Sequence, residues 1–110
     1  MKFGLKQETI DAINKVFASF PQIEEAIIYG SRAKGNFKHG SDIDITLKGD
    51  KLTLTVLNKI AWAIDDLLLP YSVDLSIFNK LNNAALAEHI NRIGISFYKN
   101  ERLSSKNEKA

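Results

Sequence analysis

The sequence predicts an α/β (α+β) domain in which helices cover a small mixed β-sheet. Three observations carry this. Apolar residues change period along the chain, from three-to-four to two and back, as they do where helices and strands alternate. Two runs, EAIIY at 25–29 and DIDITLK at 42–48, have strand length and are bounded by turn-forming residues. The chain of 110 residues, with 45% hydrophobic and 25% charged residues, suits one domain with one modest core.

The elements follow in order. Residues 6–19 read as a helix, with Ile10, Ile13, Phe17 and Phe20 on one stripe and Pro21 ending it. Glu25–Tyr29 is a strand stopped by Gly30. Residues 30–41 form a loop with a helical turn after Ser31. In residues 42–48 the alternation puts Asp42, Asp44 and Thr46 on one face and Ile43, Ile45 and Leu47 on the other. Gly49-Asp50 is a turn. From Thr53, the residues Leu57, Ile60, Ala61, Ile64 and Leu68 share a helical face, and Pro70 closes that helix. Trp62 and Leu69 lie off this stripe, on an expected second face that either meets a partner or covers the sheet edge. Residues 72–78 read as a strand. Residues 82–93 read as a helix with Leu86, Ile90 and Ile93 inward and Gly94 as its stop. Residues 95–98 add a short strand. The expected organisation is one domain over 1–99 and a polar, flexible tail over 100–110.

Composition narrows the function. A net charge of +2 is too small for a general nucleic-acid binder. With no cysteine, disulfides and thiolate metal sites are excluded. No apolar run approaches the roughly 20 residues that span a bilayer, and the N-terminus lacks an export signal, so the expected location is the cytoplasm.

The chemistry concentrates in residues 30–44, GSRAKGNFKHGSDID. Asp42 and Asp44 leave one face of a strand, and such a pair stays ionised at low cost only beside a cation. Mg²⁺ takes oxygen ligands and often uses one or two carboxylates plus substrate phosphates. Asp74, in VDLSI, joins them if its strand pairs with the first; three carboxylates can then hold two ions about 3.5–4 Å apart. The loop itself suits phosphate. Gly30 permits close backbone approach, Ser31 adds a hydroxyl, and Arg32, Lys34 and Lys38 add positive charge with no acidic residue between Ala26 and Ser41. Neither a P-loop nor GxGxxG is present. His39 reads as a solvated side chain.

Together, Gly30-Ser31, ten intervening residues, Asp42-x-Asp44 and a later strand aspartate at Asp74 resemble the nucleotidyltransferase superfamily with the DNA polymerase β-like palm fold. The GSRAKG and SDIDI wording is closest to the minimal nucleotidyltransferases, the MNT half of MNT/HEPN two-protein systems. The resemblance covers residues 6–98. It implies ATP bound with its phosphates on Gly30, Ser31 and Arg32, and Mg²⁺, two ions, on Asp42, Asp44 and Asp74. Asp74 either completes the second metal position or helps deprotonate the acceptor hydroxyl. It further implies transfer of AMP to a partner, an all-helical HEPN-family protein, by an antitoxin working in a hetero-oligomer. The alternatives are a binding module that neutralises its partner by contact alone, transfer to a small molecule, and a purely structural domain. The expected chain lacks a further acceptor domain and an aromatic platform for stacking a base.

Overall fold

The computed structural model describes residues 2–101. Its elements are α1 (Gln7–Ala18), β1 (Glu25–Tyr29), α2 (Ser31–Lys34), β2 (Ile43–Lys48), α3 (Leu54–Asp65), β3 (Val73–Ile77), a 3₁₀ turn (Phe78–Lys80), α4 (Ala84–Ile93) and β4 (Ile95–Lys99). The strands form one mixed sheet in the order β3-β2-β1-β4. β1 runs antiparallel to both β2 and β4, while β2 and β3 are parallel and joined through α3. That connection is needed because parallel neighbours require a crossover.

Strand parity divides the sheet into two faces. Ala26 and Ile28, with Ile43, Ile45, Leu47 and Ile77, point to one side and are buried there. The stripes of α1 (Ile10, Ile13, Phe17) and α3 (Ile60, Ile64) close that side, so most of the apolar burial lies between these two helices and the sheet. Phe97 of β4 stacks edge-on against Phe17, with centroids 6.3 Å apart. On the other side α4 covers only part of the sheet. Ile90 packs with Ile27 and Tyr29 of β1, flanked by Phe78, Leu81 and Leu86. Thr53 and Asn83 cap α3 and α4 by accepting from the backbone N–H groups of Val56 and Leu86.

Two expectations for α3 are corrected. The helix ends at Asp65 rather than near Pro70. The amides of Leu67 and Leu68 bond the carbonyls of Ile64 and Asp65, three residues back, and Leu68 then takes a φ of 54°. This tightened exit turns the chain, leaving Leu68 87% exposed instead of on the buried stripe. Leu69 therefore does not share a helical face with Trp62. Leu69 packs partly buried against the core, and Trp62 stands exposed on α3. At the C-terminus, the amide of Asn100 donates to the carbonyl of Glu24 at 2.9 Å and continues the β4 edge. The rest of the expected tail, from residue 102, lies outside the described residues.

Ile45 is fully buried at the centre of β2, between β1 and β3. Ile45→Ala is expected to destabilise the domain by about 2–5 kcal/mol, read from urea unfolding at unchanged m-value.

Candidate active site

The register of the sheet assembles the site. β2 and β3 align Asp44 directly with Asp74, and β1 and β2 align Tyr29 with Asp44. Side chains opposite one another in a pair share a face, so Tyr29, Asp44 and Asp74 form a row across three strands, on the face that α4 leaves partly open. Asp42 precedes β2 by one residue and reaches the same side by the two-residue period. Asp44 is half-buried; Asp42 and Asp74 are exposed.

Electrostatics at Asp44 reflect this convergence. Its carboxyl is pushed above the ordinary carboxylate range, first by burial and then by the negative charges of Asp74 and Asp42; Arg32 and His89 pull it partly back. Among the described residues none of the three carboxylates is ion-paired. Nor do any three His, Cys, Asp or Glu side chains among the described residues close into a ready-made cage for an ion. The donor set is hard oxygen, open on one side, and concentrated enough that each carboxylate disturbs its neighbour. That fits a divalent cation whose remaining ligands come from elsewhere, as Mg²⁺ takes water and phosphate oxygens.

The glycine loop lies against this row. Gly30 has a φ of 74°, and a Cβ there would fall 2.5 Å from Asp44 Oδ2. Only glycine allows both the turn and the approach. Ser31 starts α2, a single turn whose first amides have no intrahelical acceptors. Gly35 ends that turn in the left-handed region at a φ of 85°. The loop then closes through a second turn, in which the Ser41 amide bonds the Lys38 carbonyl and the Lys38 amide bonds Ser41 Oγ. Lys34, Lys38 and His39 are exposed.

Arg32 is placed differently from its loop neighbours. It is 3% exposed. Its guanidinium donates to the carbonyl of Ser41 from Nε (3.2 Å) and Nη2 (2.8 Å), and to the carbonyl of Phe3 from Nη1 (2.9 Å). The structure thus brings Gly30, Ser31, Asp42, Asp44 and Asp74 to one open face and turns Arg32 inward behind the loop.

Sequence reasoning missed Tyr29 and His89. Tyr29 is buried beside the carboxylates, and its ring meets the His89 imidazole edge-on with centroids 6.3 Å apart. Burial holds the phenol above its usual range; a hydrogen bond with Ser76 lowers it and the charges of Asp74 and Asp44 raise it further, so it stays protonated. Along the same face, Ser76 Oγ donates to Thr46 Oγ1 at 2.9 Å, which ties β3 to β2 two residues beyond Asp44–Asp74. The parity of β1 could have revealed Tyr29, since it faces as Ile27 does. His89 arrives only through the packing of α4.

The raised Asp44 group has a consequence for stability. Well below the unfolded value, near pH 3, the side chain is largely protonated in folded and unfolded chains alike, and the cost of its charge is nearly absent. As pH rises through the unfolded value and then the higher folded one, ionisation increasingly penalises the folded state. With divalent ions chelated, Asp44→Asn is therefore expected to unfold at a higher temperature than the wild type at pH 7. The advantage should shrink toward nothing near pH 3, as followed by circular dichroism melts.

Among curated proteins none matches the chain. Solved structures do. A toxin–antitoxin with AMP-PNP superposes with a TM-score of 0.68 at 20% identity, over 84% of this chain and 75% of that one. The toxin–antitoxin MntA–HepT gives 0.64 at 18%, over 88% and 75%. A tri-AMPylated Shewanella oneidensis HEPN toxin in complex with MNT antitoxin gives 0.64 at 17%, over 92% and 78%. At these identities the likeness is one of fold. Residues 11–103 match the family described as Polymerase beta, Nucleotidyltransferase. With that match spanning most of the chain, and the strand order and carboxylate row in place, the protein belongs to the polymerase beta nucleotidyltransferase family.

Proposed function

We propose that this chain is a Mg²⁺-dependent nucleotidyltransferase that moves AMP from ATP to a hydroxyl of an all-helical HEPN-type partner protein, acting as the antitoxin of the pair. The observation that carries the reading is the in-register alignment of Asp44 with Asp74 beside the Gly30 loop. The similarity in fold to toxin–antitoxin structures, one with AMP-PNP and one with an AMPylated HEPN toxin, supports the choice of nucleotide and partner. Asp42, Asp44 and Asp74 would hold the metal. When bound, Mg²⁺ supplies charge neutralisation to the triphosphate and helps polarise the α-phosphorus.

The chain's own residues do the rest. Gly30 lets the backbone come close to phosphate oxygens, and Ser31 offers its hydroxyl and amide to them. The acceptor oxygen attacks the α-phosphorus in line. The new O–P bond forms as the bond from the α-phosphorus to the bridging α–β oxygen breaks, and pyrophosphate leaves with that electron pair. Asp74, exposed at the open end of the row, either completes the second metal position or takes the proton of the acceptor hydroxyl. Tyr29, kept as a neutral phenol, forms the floor of the site on the β1 side and adds no negative charge to it. Transfer of this kind depends mainly on positioning and charge neutralisation, and an open shelf of this sort can supply both.

A partner would then complete the site, because α4 covers the β1 end and the carboxylate end stays open. A hetero-oligomer follows from that requirement. No helix among the described residues is long and apolar enough to cross a membrane.

The test uses labelled ATP, Mg²⁺ and the co-expressed partner. Label should reach the partner with the intact chain and fall by about 10²–10³-fold or more with Asp42→Asn/Asp44→Asn. Full neutralisation of the partner by the double variant, with no label from either protein, would instead establish inhibition by contact. Gly30→Ala should lose nucleotide binding and also cost about 1–3 kcal/mol of stability, because the left-handed backbone is strained by a side chain and the Cβ displaces Asp44. Isothermal titration with AMP-PNP and a thermal melt check these two effects separately.

A further inference from the structure

The basic loop contains one charge that solvent barely touches. Arg32, at 3% exposure, sits where four segments of the chain meet. The first is an N-terminal hook. Lys2 and Leu5 bridge to each other, Phe3 and Gly4 between them have φ values of 58° and 70°, and Leu5 anchors the hook in the core. The Phe3 carbonyl at its tip accepts from Arg32 Nη1. The second is α2, which carries Arg32 itself. The third is the return of the loop, where the Ser41 carbonyl takes two guanidinium bonds and the Phe37 ring lies 5.1 Å from the guanidinium carbon. The fourth is the lead-in to β3, where the Tyr71 ring lies 5.0 Å from the same carbon.

Two of these contacts stand at the entrances to the carboxylate-bearing strands. Ser41 immediately precedes Asp42. Tyr71 immediately precedes Ser72, whose carbonyl accepts the Ile43 amide at 2.9 Å and so starts the β2–β3 pairing. One planar cation, bonded along its edge and lying over two aromatic rings, therefore spans both entrances. Its edge is spent on backbone carbonyls, and almost none of its surface is presented to a ligand.

We infer that Arg32 is a positioning residue: it clamps the start of β2 and the lead-in to β3, and so sets where Asp42 and Asp74 stand relative to Asp44, rather than binding phosphate. The hook belongs to the same device. The Phe37 ring packs so closely on Gly4 that no Cβ fits there, and Phe37 in turn flanks the guanidinium. Lysine cannot replace this arrangement, because a single ammonium offers neither the forked edge nor the stacking plane. The inference rests on the transferase reading for its kinetic consequence, while its geometric content stands without it.

The experiment compares wild type with Arg32→Lys, Arg32→Met and Gly4→Ala. The last keeps the arginine and displaces the hook. Transfer assays are run below the melting temperature of each variant. All three variants should lower kcat by about 10–100-fold, since a misplacement of order 1 Å costs about that much, with KM for ATP within about twofold of wild type. Lys should rescue nothing. A tenfold or greater rise in KM for ATP in Arg32→Met that recovers in Arg32→Lys, with Gly4→Ala like wild type, would overturn the inference and make Arg32 a phosphate ligand.

Two further readouts need no turnover, and they decide the matter if the wild type transfers nothing to the partners tried. Hydrogen exchange at the Lys38 and Ser41 amides should speed up at least tenfold in Arg32→Lys and Gly4→Ala while Ile27 and Ile45 stay protected; unchanged exchange at Lys38 and Ser41 contradicts the clamp. In the wild type, the Arg32 Nε–H resonance should keep its slow solvent exchange and its position when Mg²⁺ and AMP-PNP are added. A large shift on nucleotide binding, with loss of that slow exchange, contradicts it even if every variant fails to fold.

Discussion

Like-charge crowding across one pair of parallel strands is the constraint on which the rest of the molecule turns. Asp44 and Asp74 are held opposite each other by the β2–β3 register, with Asp42 close behind, and the half-buried member of the set resists ionisation. A fold selected for stability alone has no use for this, because apolar or singly charged residues at these positions would be cheaper. On the proposed reading, a cation and a polyanion bound together would make the arrangement favourable. The strands bear the cost of the crowding through the burial on their opposite face.

That opposite face explains how a small domain tolerates such a site. Ile43, Ile45 and Leu47 alternate with Asp44 and Thr46 along one strand, so the same six residues deliver both a fully buried layer of the core and the central carboxylate of the row. A slip of one residue would exchange the two faces. Register is fixed from three directions. β1 pairs on one side of β2, β3 pairs on the other, and the Ser76–Thr46 hydrogen bond locks β3 to β2 next to the carboxylates. Precision at the site is thus inherited from burial beneath it, and needs few contacts of its own.

Much of this was legible in the chain. Period-two alternation in DIDITLK placed Asp42 and Asp44 together, and β1 begins and ends where EAIIY does. The contribution of Asp74 depended on β3 lying parallel to β2 in the right register, which alternation allows and cannot choose. Other features were hidden for physical reasons. Leu68 continues the apolar stripe of α3 in sequence, yet the helix unwinds into a tight turn before reaching it. Trp62 and Leu69, seven apart, would share a face only on a helix that persisted to Leu69. Arg32 looked like its exposed neighbours Lys34 and Lys38, because composition records a charge and not the direction in which it points. Carbonyls from residues 3 and 41 and rings from residues 37 and 71 surround it, and that gathering exists only after folding.

The central claim, that the three aspartates and the Gly30 turn make a single site for metal and triphosphate, is tested most directly by anomalous diffraction from crystals grown with Mn²⁺ and AMP-PNP. Manganese peaks bounded by carboxylate oxygens of Asp42, Asp44 and Asp74 are expected, with the analogue's phosphates against Gly30 and Ser31. Manganese and nucleotide bound elsewhere, with the aspartates contacting neither, would contradict it.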